Sequence, residues 1–250
     1  MRSSILKFIT PIITALVAGA LVFFFYQKKV DSNNSTFSLI ELKEAQLSVE
    51  KSLAEKLNKL DQQLDAFSSS ISNDRNFSLR LLVENDRSSP DVTEKAGQFL
   101  DPMGFSILEI TDSAFNILSS GHFPASAGNG DTLKASLIGK SPLLLDDNIM
   151  GSNVLTFQTG KRFAIAGMTF YAIGGIQVNS EFLNGLSPRN GVKVLLKRGK
   201  VILGMENIRS ISEIKDNKII INDKEYLAVQ MYLPYAGEGE KPVLITLIQK

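Results

Sequence analysis

The sequence contains no cysteine, no tryptophan and a single histidine, His122. Without cysteine the chain can form neither a disulfide nor a thiolate metal site, and it has no cysteine nucleophile. With only one histidine it cannot build a multi-histidine metal centre. The lack of cysteine is compatible with an oxidising compartment but does not establish one.

Neither sign of charge is in excess, because 27 Lys and Arg residues face 26 Asp and Glu residues and leave a net charge of +1. Domains that bind nucleic acid usually carry a strongly basic patch. We therefore expect no nucleic-acid partner. The length of 250 residues allows one large domain or two small ones with a real core.

Catalytic signatures are also scarce. A Ser-His-Asp triad would have to use His122, yet no Gly-x-Ser-x-Gly sequence presents a serine. Gly128-Asn-Gly130 begins like a dinucleotide loop, but Leu133 stands where the third glycine belongs. The acidic run 146–148 could bind a cation, but it lacks the spaced ligands of a calcium loop, which favours a solvated turn. We expect no enzymatic activity, no cofactor and no metal site.

A long uncharged run is present near the N-terminus, at residues 8–26. At ~1.5 Å per residue, its 19 residues would span about 28 Å of bilayer. A cleaved signal peptide is the alternative, but the best small-residue site, 18–20, falls inside the apolar run. Residues 1–30 are therefore predicted to be an uncleaved inner-membrane anchor in the lipid bilayer, with the bulk of the chain periplasmic.

A long helix is predicted over residues 31–73. Apolar residues recur at steps of three and four between Leu39 and Ile71, and Ser38 with Glu41 fits a capping box at the start. The apolar stripe is narrow and roughly heptad-spaced, which favours a stalk in a parallel homodimer. The alternative is that this helix packs on its own domain.

The rest of the chain predicts an α+β fold with antiparallel sheets. Two short helices come first, at residues 77–84 and from Pro90 onward, with Ser89 as N-cap. Strands then follow, with turns expected at 112–113 and near 159–160 and a short helix between them. These parts make up a first lobe, residues 74–180.

A smaller second lobe is predicted over residues 181–250. It consists of hairpins that turn at 198–199 and 222–223, followed by an apolar strand that runs to the last residue.

This order of parts resembles the extracytoplasmic Cache (PDC-type) sensor regions of bacterial histidine kinases and chemoreceptors. The residues that carry the resemblance are "GFSILEITDSAFNILSSGHFPASAGN" and "VKVLLKRGKVILG" with "KEYLAVQMYLP". The similarity extends over residues 67–250, although the first turn, 112–115, lacks the glycine common in that family. The resemblance implies two PAS-like lobes and a small solute bound in the membrane-distal first lobe. It also implies that binding shifts the long helix against a dimer partner. Since no second span follows, we expect the sequence to be the sensory part of a longer protein of a two-component or chemoreceptor system.

Five residues are candidates for the ligand pocket that the resemblance implies between the first sheet and its covering loops: Arg80, His122, Ser126, Arg162 and Tyr171. Such side chains commonly hold carboxylate-bearing ligands. Because both lie on the long strand predicted after the turn near 159–160, Arg162 and Tyr171 are expected on opposite sides of the sheet unless a bulge intervenes. His122 either makes an ordinary hydrogen bond at a strand end or has a ligand-binding or pH-sensing role.

A membrane scaffold is the rival function, with a coiled-coil stalk and a periplasmic protein-binding domain. That interpretation needs no pocket and takes Lys250 as the true end. An exported hydrolase is a third possibility, which the shortage of reacting groups disfavours.

Overall fold

A computed structural model describes residues 38–249 of the chain. The predicted membrane anchor, residues 8–26, lies outside these residues. Within residues 38–249, no helix combines the length and the apolar character that a membrane span requires.

One long helix, α1, occupies residues 38–72. Its apolar stripe is buried within the chain itself from Leu42 onward, whereas Leu39 at its start is exposed. Leu42 and Ala45 pack with Ile248 near the C-terminus, whereas Leu64 and Phe67 belong to the main core. The stripe is thus covered intramolecularly, as in the alternative considered for the sequence, and any dimer contact on α1 would use a different face of the helix.

Short helices follow α1 and lie on the same side of the first sheet. The second predicted helix is a single α-turn that continues as a π-helix, and the third is divided at Glu94 into two pieces. The elements are α2 (Arg75–Ser78, continued by Leu79–Val83), α3 (Pro90–Thr93), α4 (Lys95–Leu100) and, between the two sheets, α5 (Ser180–Asn184).

Two antiparallel sheets of five strands each complete the described fold, which confirms the α+β prediction. The first comprises β1 (Ile107–Asp112), β2 (Ile117–Ser120), β3 (Leu143–Ile149), β4 (Ser152–Ile165) and β5 (Met168–Gln177), in the order β2-β1-β5-β4-β3. The second comprises β6 (Val192–Arg198), β7 (Val201–Leu203), β8 (Lys218–Ile221), β9 (Lys224–Tyr232) and β10 (Val243–Gln249), in the order β7-β6-β10-β9-β8. The turn predicted at 222–223 is confirmed, and the turn predicted at 198–199 lies one residue later, at 199–200.

The turn predicted near 159–160 is wrong. The hairpin that joins β4 and β5 turns at Ala166 and Gly167, both of which have positive φ, and Ile165 pairs with Met168 across it. Two consecutive residues with positive φ are typical of the type I′ turn that suits the twist of a two-residue hairpin. Gly160 instead lies inside β4, where a Cβ atom would stand only 2.6 Å from Cδ1 of Ile138. The glycine therefore lets another segment approach the sheet rather than ending the strand.

The segment that approaches is the cover, residues 121–142, which connects β2 to β3. It contains two 3-10 turns, Pro124–Ser126 and Thr132–Leu137, and its Ile138 forms an isolated bridge with Gly160. One face of the first sheet thus packs on the helices and the other lies beneath the cover. We refer to the second as the covered face.

Candidate functional site

A buried acidic residue stands in the middle of the covered face. Glu109 of β1 is 2% exposed, and its register partners are Ser120 of β2 and Ile173 of β5. Ile107 and Thr111, which lie two residues away on the same face of β1, are also fully buried. An ionised carboxylate in such a position is stable only when charged and hydrogen-bonding partners compensate for lost hydration.

Two basic side chains of the cover supply this compensation. The Nζ atom of Lys134 lies 2.5 Å from Oε2 of Glu109 and 3.7 Å from Oδ2 of Asp147. Nε2 of His122 lies 3.6 Å from Oε1 of Glu109 and 3.9 Å from Oδ1 of Asp147. Each carboxylate therefore faces both basic groups. We call these four side chains, Glu109, His122, Lys134 and Asp147, the charge cluster.

Polar groups of the neighbouring strands complete the surroundings. Gln158 of β4 donates a hydrogen bond through Nε2 to Oδ2 of Asp147 at 2.7 Å and another to Oγ1 of Thr156 at 2.9 Å. The Oγ atom of Ser120 lies 3.3 Å from Nδ1 of His122. Asp131 of the cover adds a third carboxylate, 3.5 Å from the ammonium of Lys134. The charge cluster is thus formed and contacted by side chains of β1, β2, β3 and β4 on the sheet and by side chains of the cover.

The surroundings shift the pKa values of the charged groups. Burial raises the pKa of Asp147, but the neighbouring His122 ring, the charge of Lys134 and the backbone N–H of Asn148 together lower it to about 2. Burial lowers the pKa of Lys134, but the charges of Glu109 and Asp147 more than offset this effect and raise it. Both groups are therefore held in their charged forms at neutral pH.

The lowered pKa of Asp147 makes a prediction about acid stability. Because its folded pKa, about 2, lies below the ordinary value of 3.8, this carboxylate stabilises the fold above pH 4 and loses that contribution as the pH falls towards 2. The loss amounts to about 2 kcal/mol. Asp147→Asn should be less stable than wild type at pH 7, and its unfolding free energy should converge with that of wild type near pH 2. Denaturant titrations at several pH values test this, with Asp101→Asn on the exposed turn after α4 as control. A difference in unfolding free energy between wild type and Asp147→Asn that stays constant with pH would contradict this prediction.

Three of the five residues predicted for the pocket lie on or beside the covered face. His122 belongs to the charge cluster. Arg162 and Tyr171 are direct register partners, so they share one face, and the expectation that strand alternation separates them is wrong. They lie on different strands, which the missed turn at 166–167 had concealed. Tyr171 also stacks on Phe115, with ring centroids 4.6 Å apart.

The other two residues lie elsewhere. Ser126 is in the cover, where its hydroxyl donates to the carbonyl of Phe123 at 2.8 Å. Arg80 is on the helical side, where its guanidinium pairs with Glu84 and, at 3.3 Å, with Asp91. The structure does not bring Arg80 to the charge cluster.

Sequence reasoning missed Glu109, Lys134 and Asp147. Glu109 could have been found, because it is the only charge within the apolar run "SILEIT" and lies on the inward side of a buried strand. The expectation of a solvated turn at 146–148 is wrong, because these residues belong to β3 and the side chain of Asp147 is only 14% exposed. Lys134 carried no usable sequence signal.

The residue next to Asp147 links the two lobes. Asp146 forms an ion pair with Arg198 of β6 and accepts a hydrogen bond of 2.5 Å from the hydroxyl of Tyr235. The guanidinium of Arg198 also lies over the ring of Tyr235, 4.8 Å from its centroid. Because adjacent side chains of a strand point to opposite sides, β3 places one carboxylate in the charge cluster and the next against the second lobe.

In the part of the chain that the structure describes, no three Asp, Glu or His side chains are placed to hold a metal ion. In the charge cluster, basic groups occupy the neighbourhood of the carboxylates instead.

Comparison with known proteins identifies the fold. No family model and no curated protein matches the sequence. The solved structures that match include the sensor domain of the Vibrio cholerae histidine kinase DctB (TM-score 0.53, 12% identity, 84% of this chain and 97% of that one). The periplasmic domain of V. cholerae LuxQ matches with a TM-score of 0.52 at 14% identity, over 83% of this chain and 99% of that one. The ligand-binding domain of the Campylobacter jejuni chemoreceptor Tlp3, in complex with 4-methylisoleucine, matches with a TM-score of 0.52 at 14% identity, over 82% and 89% of the two chains. The chain therefore has the fold of Cache-type sensor domains, as the sequence predicted.

Proposed function

We propose that this chain, which has the fold of Cache-type sensor domains, is the extracytoplasmic ligand-sensing region of a membrane signal-transduction receptor. The observation that carries the proposal is the charge cluster on the covered face of the first lobe. Buried ion pairs often stabilise a fold less than apolar side chains of the same volume would, so they are weak evidence for a purely structural role. Strongly perturbed ionisable groups instead concentrate at binding and catalytic sites.

A small solute is the ligand class that we propose. The Tlp3 domain of similar fold is known in complex with 4-methylisoleucine, and small-solute binding on the covered face would give the charge cluster of this chain a role. The proposed site comprises Glu109, His122, Lys134 and Asp147, with Arg162 and Tyr171 further along the same face.

We further propose that α1 and β3 transmit occupancy of the site. Helix α1 packs on both lobes, so a change beneath the first sheet can reach the N-terminal part of the helix. Small displacements of a helix at an interface are a common way to pass a signal. The anchor at residues 8–26, the periplasmic location and a homodimer contact on α1 are parts of this proposal, and the exposed residue Ile40 is a candidate for that contact.

A thermal unfolding screen of the full chain in detergent tests the proposal, with amino acids, amines, organic acids and other small solutes as ligands. A ligand at a hundred times its dissociation constant adds about 2.7 kcal/mol, which raises the melting temperature by roughly 5–10 °C. We expect one chemical class to give such shifts, and His122→Ala to weaken them.

Arg80→Ala is the matched control, because Arg80 lies on the helical side and should leave the shift unchanged. If no solute raises the melting temperature, the result would argue against small-solute sensing and in favour of the membrane scaffold. Shifts that His122→Ala preserves and Arg80→Ala abolishes would place the site elsewhere.

A further inference from the structure

The acids and bases of the charge cluster come from different parts of the fold. Glu109 and Asp147 belong to β1 and β3, whereas His122 and Lys134 belong to the cover. The sheet itself therefore presents two carboxylates and no cation at this place. If the cover withdrew its two basic side chains while the site stayed closed to bulk water, two buried carboxylates would be left in need of a positive charge.

Hydrogen-bond acceptors without a donor add to the need for a positively charged group that can donate hydrogen bonds. Within residues 38–249, two buried side-chain oxygens have no hydrogen-bond partner, Oε1 of Gln158 and Oγ1 of Thr111. Gln158 is 1% exposed and bonds Asp147 through its amide nitrogen, so its carbonyl oxygen is fixed beside the charge cluster. A buried carbonyl oxygen without a donor costs free energy, and a group with several N–H donors would remove that cost.

A primary ammonium group has the required chemistry, since it combines one positive charge with three donors. We propose that the two carboxylates and Gln158 form a binding site for a primary ammonium group, and that Lys134 is the chain's own occupant of that site. The ammonium of a solute takes the place of Lys134 when the cover lifts. This inference rests on the proposed sensing function and specifies the ligand class.

Lys134 is the occupant that can leave. His122 follows β2 by only two residues and contacts Ser120 of that strand, so its position is tied to the sheet. Lys134 lies in a short 3-10 turn near the middle of the cover, with glycines of positive φ on either side, Gly128 and Gly139. Its ammonium is held by ion pairs rather than by regular secondary structure.

Chemical rescue tests the inference directly. Lys134→Ala removes three methylene groups and the ammonium, which is the size of propylammonium. We expect propylammonium to raise the melting temperature of the full-length variant by about 3–5 °C at ten times its dissociation constant. Tetramethylammonium at equal ionic strength carries the same charge but no N–H donor, and it should not do so. If Lys134→Ala does not fold, restored cooperative unfolding in propylammonium, measured by circular dichroism, is the readout.

Lys134→Met is the matched variant, because its side chain fills the space that propylammonium would need, and it should show no rescue. Equal effects of propylammonium and tetramethylammonium, or no effect of any amine on Lys134→Ala, would overturn the ammonium site. In that case shifts of the wild-type chain with anionic or neutral solutes would still support solute sensing. The two proposals can therefore fail separately.

Discussion

Lys134→Met is expected to lower the free energy of unfolding by about 3–5 kcal/mol at pH 7. The substitution keeps most of the side-chain volume but removes the cation that neutralises Glu109 and Asp147. Lys134 is 7% exposed, so water cannot readily replace the lost charge. Chemical denaturation followed by circular dichroism measures the loss. The loss should shrink as the pH falls towards 2 and Asp147 becomes protonated.

A second substitution separates the charge effect from a packing effect. Glu109→Gln removes one of the two carboxylates, so the double variant Glu109→Gln/Lys134→Met should recover part of the stability that Lys134→Met alone loses. Lys161→Met is the control, because Lys161 pairs with Asp61 and Asp65 on the more exposed surface of α1 and should cost about 1 kcal/mol or less. A loss of the same size in both lysine variants would mean that burial of the cluster has no special effect.

Local patterns were sufficient to predict most of the second sheet. The turn at 222–223 has an Asn-Asp pair, both residues of which adopt positive φ, and Gly199 does the same at the preceding hairpin. These residue types tolerate the left-handed conformation that a tight hairpin requires. Where the turn residue and the required backbone conformation agree, sequence reasoning places the strands correctly.

The first sheet was harder because two of its features contradict such patterns. Ala166 adopts positive φ at the true turn, although alanine gives no turn signal, whereas Gly160 resembles a turn residue within a continuous strand. Gly160 is needed because Leu137 and Ile138 of the cover pack against it. That contact joins residues far apart in sequence, so no local pattern reveals it. The misplaced turn then gave the wrong faces for Arg162 and Tyr171.

The candidate site could be predicted only in part for the same reason. His122 was identifiable because it is the only histidine and follows a predicted strand. Its partners come from β1, β3 and the cover, and their proximity depends on the order β2-β1-β5-β4-β3. That order brings β1, β3 and the cover, which are distant in sequence, together around the buried charge cluster. A single acidic residue in an apolar strand, such as Glu109, is the sequence feature that indicates where such a buried charge cluster lies.

Phe67→Ala should be as damaging as the loss of Lys134, for a different reason. Phe67 of α1 is fully buried, and its ring meets that of Phe99 edge-on, with centroids 5.3 Å apart. Truncating a buried phenylalanine removes apolar burial and leaves a cavity, which typically costs about 3–5 kcal/mol. Leu47→Ala on the same helix is the control, because Leu47 is 57% exposed and should change the unfolding free energy by less than about 0.5 kcal/mol.

The position of Phe67 makes this variant informative about signalling as well as stability. It fixes the C-terminal part of α1 in the main core, which also contains residues of the first sheet, while Leu42 and Ala45 fix the N-terminal part against the second sheet. If α1 transmits occupancy, loosening one attachment should reduce the response at the other. Hydrogen exchange of residues 38–50 should then change on ligand binding in wild type and in Leu47→Ala, but not in Phe67→Ala under conditions where all three are folded. A preserved response in Phe67→Ala would mean that the signal reaches the second lobe by another route, for which Asp146 and its contact with Arg198 are the structural candidates.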